Sequence, residues 1–587
     1  MQTQWDLTPL YRGFDDPAFV RDMDRLPQML AALSRSISEG IEPLESLAAR
    51  YEEAGALLER LFLMAELTLA CDADDARADA AHGRLLRANV QARQAYYALC
   101  RRLAAMPNLE EAIGKSSFLR ERAFALREMA ALAGHLLPEA IEESVLRMQL
   151  TGGEAFSQLQ EKLEATLTVA YRGEEIPLSA ARALAYDADA SVRRDAYRAE
   201  LAAYRKVELP MSACLNSIKA EGQTLARLKG YDGVLAMTLA ESRVDRQTLD
   251  AMLGAIREAL PELRRYFKAK ARLLGHASGL PFYDLFAPVG SSARTYTIEQ
   301  ARDLLLAVFG RFCPDMGDMM KTAFDEGWID VYPRAGKCGG AFCSGCQSLN
   351  ISRILTNFAG SLSDVSTLAH ELGHAFNDLM LHAMPRMMID VPMPLAETAS
   401  TFNETLLAAE LRANAAPQEE LLLLDAELME TTQTIVDIYS RYLFEQNVVA
   451  AQDDHAPSAA ELKQLMLDAQ QDAYGDGLDP TLRHPYMWAC KSHYYSTGTH
   501  FYNFPYAFGC LFARGLYARY RQEGDAFVPV YCDLLARFGG DTVAGVAASV
   551  GIDVRTPEFW RGALESVITD VKRFEALASR SPMPANA

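Results

Sequence analysis

Two histidines and a glutamate stand close together in the sequence His370-Glu371-Leu372-Gly373-His374. On an α-helix, residues four apart project from nearly the same side, so His370 and His374 can bind one metal ion together. This spacing is typical of Zn²⁺ sites in which the intervening glutamate acts as general base toward a zinc-activated water. The pattern therefore predicts hydrolytic chemistry at one zinc ion per chain. The competing interpretation is a solvated helix face that happens to carry two histidines.

A catalytic zinc normally has three protein ligands, so one more ligand is needed. Glu397 and Glu404 follow in a segment whose Pro394 suits the first turn of a new helix, and they lie seven residues apart on one face of it. Spacing alone allows either carboxylate to complete a His₂Glu site while the other orients a ligand histidine, with Glu397 favoured. The alternative is two acidic residues on a solvated face.

The histidines need a helix to position them, and residues 364–381 have the pattern of one. Apolar residues recur there at helical spacing, on a stripe that differs from the one carrying the histidines. That stripe comprises Val365, Leu368, Leu372, Phe376 and Leu379. We therefore expect the apolar stripe to face the core and the histidines to face a site.

The rest of the chain is predicted to be mostly helical. Residues 17–135 are rich in Ala, Leu, Arg, Glu and Met, and their apolar residues recur every three or four positions. Turn residues interrupt this pattern at 172–177, after a short strand predicted within 165–171. The zone 332–360 holds the strongest β or loop signal, and its run 349–358 predicts an edge strand that could pair with a peptide backbone.

Composition and charge exclude several classes of protein. The 587 residues include 78 acidic and 58 basic side chains, for a net charge of −20. This balance argues against nucleic acid or an anionic membrane surface as a partner. Neither a secretory signal nor a run of 18 uncharged apolar residues is visible, so we predict a cytoplasmic protein whose ten cysteines are reduced.

Five segments of the chain together carry a resemblance to one family. They are W-D-L-T-P-L-Y at 5–11, R-A-G-K-C-G-G-A at 334–341, N-F-A-G at 357–360, H-E-L-G-H-A-F at 370–376 and L-A-E-T-A-S-T-F-N-E at 395–404. These segments resemble the oligoendopeptidase F branch of the thimet-oligopeptidase-like zinc metallopeptidases, which are HExxH gluzincins. The resemblance implies that His370 and His374 are zinc ligands, that Glu397 is the third ligand, and that Glu371 is the catalytic glutamate.

The C-terminal part adds candidate hydrogen-bond donors. His493-Tyr494-Tyr495 and the run H-F-Y-N-F-P-Y-A-F-G at 500–509 resemble a further element of the family. The resemblance implies that Tyr502 and Tyr506 contact substrate and donate to an oxyanion, with His493 as a further donor. His500 competes with His493 for that role. An aromatic core stripe is the alternative interpretation of the run.

The fold implied by the resemblance is mostly α-helical and ellipsoidal, with a deep internal channel and a small β element beside the zinc helix. We expect an N-terminal helical region at 1–200 and a catalytic region at 201–587. The implied activity is zinc-dependent endopeptidase cleavage of internal bonds in short unstructured peptides. The alternatives are a carboxypeptidase or dipeptidase of the same fold that trims termini, and a non-catalytic helical peptide-binding protein.

Three cysteines, Cys338, Cys343 and Cys346, form a C-x₄-C-x₂-C pattern that could indicate a second metal site. A structural zinc needs four ligands, and the next histidine along the chain is His370, which is already assigned. We therefore interpret the three as ordinary thiols in a loop. Thiol reagents would inhibit the protein if these side chains lie close to the cleft.

Overall fold

The computed structural model describes residues 2–290 and 294–580, and within those ranges the fold is mostly α-helical, as predicted. The first ten helices are α1 (Pro17–Glu39), α2 (Leu44–Cys71), α3 (Ala76–Ala104), α4 (Leu109–Lys115), α5 (Ser117–Glu121), α6 (Ala123–Leu132), α7 (Glu139–Thr151), α8 (Gly153–Thr166), α9 (Leu178–Ala183) and α10 (Ala190–Tyr204). The next eight are α11 (Glu208–Leu228), α12 (Val234–Glu241), α13 (Arg246–Leu273), α14 (Ile298–Phe312), α15 (Pro314–Asp325), α16 (Leu362–Leu381), α17 (Met393–Ala396) and α18 (Thr398–Ala413). The remaining helices are α19 (Pro417–Thr432), α20 (Ile438–Ala451), α21 (Ala459–Tyr474), α22 (Phe504–Glu523), α23 (Phe527–Leu535), α24 (Val543–Ala548) and α25 (Pro557–Ala578).

Within residues 2–290 and 294–580, five short strands form two small sheets. Strands β1 (Thr168–Tyr171) and β2 (Glu174–Pro177) form an antiparallel hairpin, which confirms the strand predicted within 165–171. Strands β3 (Ile329–Asp330), β4 (Phe342–Cys346) and β5 (Ile351–Leu355) form the second sheet in the order β3-β5-β4. This second sheet contacts α16 through both β4 and β5, so the β element predicted beside the helix of His370 and His374 is present.

The prediction of an edge strand within 349–358 is wrong. Strand β5 is central, because it pairs in parallel with β3 and antiparallel with β4. Four successive β5 residues, Ser352 to Leu355, are buried, which is the pattern of a strand covered on both faces. The edge strands of this sheet are β3 and β4.

Separate hydrophobic clusters form the core. One joins α1, α2 and α3 and includes Cys346 of β4. A second joins residues 167–218 to residues 444–495, and so contains residues from both sides of position 200. The largest extends from residue 197 to residue 578 and includes the apolar stripe of α16. The division of the chain into 1–200 and 201–587 therefore stays a prediction, although two core clusters cross its boundary.

A cavity of about 970 Å³ lies between N-terminal and C-terminal elements. Its walls come from α1, α2, α3 and α6 on one side and from Arg243 and the segment 386–390 on the other. The predicted deep channel that leads to the metal site stays a prediction. Within the described ranges, no helix combines the length and the apolar character that a membrane crossing requires.

Candidate active site

Helix α16 carries both histidines and begins with a strong start signal. Ser361 is its N-cap residue and forms a capping box with Asp364, which satisfies backbone N–H groups of the first turn. Val365, Leu368, Leu372 and Phe376 of the apolar stripe are fully buried, as predicted, whereas His370 and His374 keep 26% of their side-chain surface exposed. The helix is thus anchored by one face and presents its histidines from another.

Gly373 allows α18 to pack very closely against α16. A Cβ atom at this position would lie 2.7 Å from the backbone oxygen of Ala399 and from the Cα of Ser400. The Asn403 side chain reinforces the contact by donating to the Ala369 carbonyl over 3.1 Å. Because Glu397 and Glu404 flank this crossing point, the close approach brings both carboxylates to the histidines.

Three potential ligand atoms meet at the crossing. Glu397 Oε2 lies 3.3 Å from His370 Nε2 and 3.4 Å from His374 Nε2, and the two Nε2 atoms are 3.3 Å apart. In the described part of the chain, these residues are the only group of three or more metal-ligating side chains with this proximity. Zinc binds such atoms at about 2.0–2.1 Å in tetrahedral geometry, whose edges measure roughly 3.3–3.4 Å. The donor set and its spacing therefore fit a zinc ion.

The segment that carries the two glutamates is not one helix. Helix α17 ends before Glu397, which is the N-cap residue of α18, so Glu397 lies at a break and Glu404 lies two turns into α18. The single helix expected to begin near Pro394 is therefore wrong. Its interruption lets Glu397 reach both Nε2 atoms, whereas Glu404 Oε1 contacts His370 Nδ1 at 3.1 Å. Sequence spacing favours Glu397 as the third ligand but leaves both carboxylates possible.

The pKa values of two of these groups are shifted by their mutual contacts. Burial lowers the pKa of His370, but the carboxylates of Glu397 and Glu404 outweigh this effect and raise it to about 11. Burial raises the pKa of Glu397, but hydrogen bonds from His370 and His374 outweigh that effect and hold it well below its usual range. The carboxylates thus favour positive charge at the point where the three ligand atoms meet.

Glu371 lies on the adjacent, more buried side of α16, with 6% of its surface exposed. Burial raises the pKa of its carboxyl group, and the neighbouring Glu397 and Glu404 add to this effect, although His370 and His374 oppose it. A carboxylate with a raised pKa holds a proton more readily than an exposed one, which suits a group that must accept and return a proton.

Two tyrosines and one histidine form an aromatic group near Glu397. The ring of His493 stacks on Tyr502 at 5.5 Å and meets Tyr506 edge-on at 5.9 Å, and the two tyrosine rings are 5.7 Å apart. Burial raises the pKa of Tyr506, and the neighbouring Tyr502 hydroxyl and the charge of Glu397 add to the shift. The Tyr506 hydroxyl therefore stays protonated at neutral pH and can donate a hydrogen bond.

The structure places His493 and His500 in different surroundings. His500 is buried and packs against Gly222, where a Cβ atom would lie 2.2 Å from His500 Nε2. His493 is half-buried beside the tyrosines, and burial together with Arg441 and Lys491 lowers its pKa, which favours a neutral ring. Phe501, Phe504 and Phe508 of the same run are core residues, each with at most 2% of its surface exposed. The interpretation as an aromatic core stripe therefore holds for these three residues.

The three cysteines of the C-x₄-C-x₂-C pattern occupy different surroundings. Cys338 is exposed, Cys343 lies on β4 with its Sγ 3.9 Å from Asp378 Oδ2, and Cys346 is buried with its Sγ 3.9 Å from Glu59 Oε2. Burial raises the pKa of the Cys343 thiol, and the charges of Asp378 and Glu371 raise it further. This thiol is therefore close to α16 but poorly ionised.

Sequence inspection missed two charged residues near the site. Glu430 of α19 lies close enough to Glu404 and His370 to interact with them electrostatically. Arg441 of α20 donates to the Asn503 side chain over 3.3 Å, beside Tyr502. Both are far along the chain from the motif and stand in ordinary helical patterns, so no local signal distinguishes them.

Comparison with known proteins places this arrangement in a family. A model of Peptidase family M3 matches residues 183–566. The oligopeptidase PepF of Bacillus subtilis (strain 168) is 26% identical over 371 residues, 62% of this chain and 55% of that protein. An oligoendopeptidase F homolog of Lactococcus lactis subsp. lactis is 26% identical over 395 residues, 66% of this chain and 64% of that protein.

The alignments therefore span about 55–64% of the length of these two curated relatives. Among solved structures, that of a Chlamydophila abortus protein superposes with a TM-score of 0.84 at 23% identity and covers 98% of both chains, which shows a shared fold. The family match covers most of the chain and includes all seven of the predicted site residues. The resemblance to the oligoendopeptidase F group is confirmed, and the chain belongs to Peptidase family M3.

Proposed function

We propose that this protein is a zinc metallo-endopeptidase that hydrolyses internal peptide bonds of short, unstructured oligopeptides. The observation that carries the proposal is the triangle of His370, His374 and Glu397 ligand atoms, with 3.3–3.4 Å edges, directly beside the buried carboxyl group of Glu371. Relatives described as oligopeptidases and oligoendopeptidases support the substrate class.

His370, His374 and Glu397 would hold the metal. Glu404 would keep His370 in place by accepting from its Nδ1–H, which leaves Nε2 free as a ligand atom. The Ser400 hydroxyl, 2.9 Å from Glu397 Oε2, would restrain the carboxylate in the same way. When bound, zinc would supply Lewis acidity, which polarises the scissile carbonyl and lowers the pKa of water.

Glu371 would act as the general base and then as the general acid. Its carboxylate takes a proton from the attacking water as the oxygen–carbon bond forms, and it delivers that proton to the leaving amine nitrogen as the carbon–nitrogen bond breaks. The position of Glu371, one residue after His370 on the same helix, keeps it next to the ligand atoms throughout. Its raised pKa makes both transfers accessible near neutral pH.

Tyr502, Tyr506 and His493 would stabilise the negative charge that develops on the carbonyl oxygen. The Tyr506 hydroxyl remains protonated beside the charge of Glu397, the Tyr502 ring lies against it, and a neutral His493 has one ring N–H to donate. A preorganised donor of this kind typically contributes a factor of about 10²–10³ to kcat. Strand β4 would bind the substrate backbone, because it is an edge strand of the sheet beside α16.

Replacement of Glu371 tests the catalytic proposal. We expect Glu371→Gln to bind zinc and to lower kcat on a quenched fluorescent peptide by about 10²–10⁴-fold, since proton transfer is lost and the ligands are untouched. Zinc content and turnover are measured on the same preparation. A variant that binds zinc and keeps wild-type turnover would refute the mechanism, and an inactive wild-type protein would favour the non-catalytic peptide-binding alternative.

Product mapping separates internal cleavage from terminal trimming. Peptides of graded length are prepared with free and with blocked termini, and their products are identified by mass. An endopeptidase cleaves the blocked and unblocked forms at the same internal bonds. Cleavage that requires a free terminus would favour the carboxypeptidase or dipeptidase alternative. The two-region organisation and the cytoplasmic location stay predictions.

A further inference from the structure

The residue just before Tyr502 has an unusual backbone conformation. Phe501 has φ = +51°, in the left-handed region that residues with a Cβ rarely adopt. Its side chain is buried, with 2% exposure, and its ring packs 5.5 Å from that of Tyr442. Such a conformation persists only where surrounding contacts hold it, and it sets the direction in which Tyr502 leaves the chain.

A buried ion pair supplies one of those contacts. The Phe501 backbone N–H donates to Glu445 Oε1 over 2.9 Å, and Lys219 Nζ donates to the same oxygen over 2.6 Å. Lys219 lies on α11 and Glu445 on α20, and neither side chain has more than 1% of its surface exposed. Two helices far apart in sequence therefore converge on the peptide group that precedes Tyr502.

His500 extends the same contact. Its Nδ1 lies 3.4 Å from Lys219 Nζ, and burial together with the Lys219 charge holds its pKa well below the usual range. The ring is therefore neutral, accepts at Nδ1 and carries its proton on Nε2, which faces Gly222. Thr238 Oγ1 lies 3.0 Å from the His500 backbone oxygen, so α12 contacts this residue too.

We propose that Lys219, Glu445 and His500 form a clamp that positions Tyr502 for the hydrolysis proposed above, on which this inference rests. A buried ion pair contributes little to stability compared with apolar side chains of the same size, so stability alone does not account for it. Its contacts converge on residues 500 and 501, whose conformation brings the Tyr502 ring against His493. The three are positioning residues, because they act on the reaction through Tyr502.

Hydrogen exchange and kinetics on the full-length chain test the clamp. Lys219→Met removes the ammonium group, and Gly222→Ala displaces the His500 ring without changing any charge. Lys219→Met combined with Glu445→Gln leaves no unpaired charge, in case the single variant does not fold. Lys270→Met is the matched control, because Lys270 is another fully buried lysine, paired with Asp425 at 3.3 Å.

In the clamp variants we expect amide exchange in residues 496–503 to become about tenfold faster, at protein concentrations and temperatures where the global fold is intact. We also expect kcat to fall about tenfold while KM changes by less than about threefold, because the affected contact is made in the transition state. In a Tyr502→Phe background the same substitutions lower kcat by less than about twofold, since their effect passes through Tyr502.

Each contrary result has a separate meaning. Unchanged exchange in residues 496–503 would overturn the clamp, and faster exchange with unchanged kcat would overturn its positioning role. Equal losses of kcat in the wild-type and Tyr502→Phe backgrounds, or an equal loss in Lys270→Met, would show a general structural effect and overturn the proposal. Failure of the proposed function would instead be seen as wild-type turnover by Glu371→Gln.

Discussion

The close packing at Gly373 makes a single methyl group a sharp test of how the metal ligands are positioned. In Gly373→Ala the new Cβ would lie 2.7 Å from the Ala399 oxygen and the Ser400 Cα, about 0.7 Å short of the 3.4 Å at which ordinary contact begins. Both contact atoms belong to backbone, which cannot swing aside as a flexible side chain would. Helix α18 and the neighbouring Glu397 must therefore move away from α16.

The size of the effect follows from the ligand triangle. A displacement of about 0.7 Å at Glu397 would exceed the tolerance of roughly 0.2 Å in metal–ligand distance. We expect zinc affinity to fall about 10–100-fold, which is a loss of about 1.4–2.7 kcal/mol in binding free energy. Turnover at limiting zinc should fall with it. Overpacking at the helix crossing should also lower the free energy of unfolding by about 1–3 kcal/mol.

Competition with a chelator measures the zinc affinity, and urea unfolding of the metal-free protein measures stability. Gly254→Ala on α13 is the control, because its added Cβ would meet no atom within 4 Å apart from its chain neighbours and the backbone of its own helix. That control should keep wild-type zinc affinity and gain about 0.4–1 kcal/mol of stability. If Gly373→Ala binds zinc as tightly as the wild type and keeps its turnover, the close approach of α18 does not position the ligands.

Three further predictions concern single side chains. Glu404→Gln should weaken zinc binding about 10–100-fold in chelator competition. The control is Glu410→Gln on the same helix, which loses only a contact with Arg311 and should keep wild-type zinc affinity. Equal affinities of the two variants would contradict the role of Glu404. Tyr506→Phe should lower kcat about 10²-fold at unchanged zinc content, and a change confined to KM would contradict its role as a donor. Burial raises the pKa of Asp378 to about 6, so the folded state holds this proton more tightly than the unfolded state and loses stability as the pH rises from about 4 to 6. The free energy of unfolding of metal-free Asp378→Asn, measured by urea titration relative to the wild type, should therefore rise by up to about 3 kcal/mol from pH 4 to pH 7. A difference in unfolding free energy that does not change with pH would contradict this prediction.

Local spacing was enough to predict the parts of this protein that depend on helical periodicity. The position of His370 and His374 on one side of a helix, the buried stripe of α16 and the mostly helical fold all follow from the 3.6-residue period, which acts over a few neighbouring residues. The resemblance to oligoendopeptidase F extended this to the family, because its motifs are spread over much of the chain.

Tertiary packing decided what spacing left open. Spacing favours Glu397 over Glu404 but leaves both possible as the third ligand. The break between α17 and α18, packed against Gly373, places Glu397 beside both Nε2 atoms and Glu404 beside His370 Nδ1. Likewise His493 and His500 are distinguished by burial against Gly222. These choices depend on contacts between segments far apart in the chain, whose geometry no local pattern records.

The second sheet and the clamp also depend on contacts between remote segments, which local sequence patterns do not reveal. Whether β4 or β5 forms the edge depends on a third strand, β3, which contributes only Ile329 and Asp330 to the pairing. Lys219 and Glu445 stand 226 residues apart in ordinary helices and acquire a partner only when the helices meet. Short-range patterns in the sequence thus predict the candidate chemistry and the elements that carry it. Contacts between remote segments distinguish the neighbouring side chains, because their surroundings differ over distances of a few ångströms.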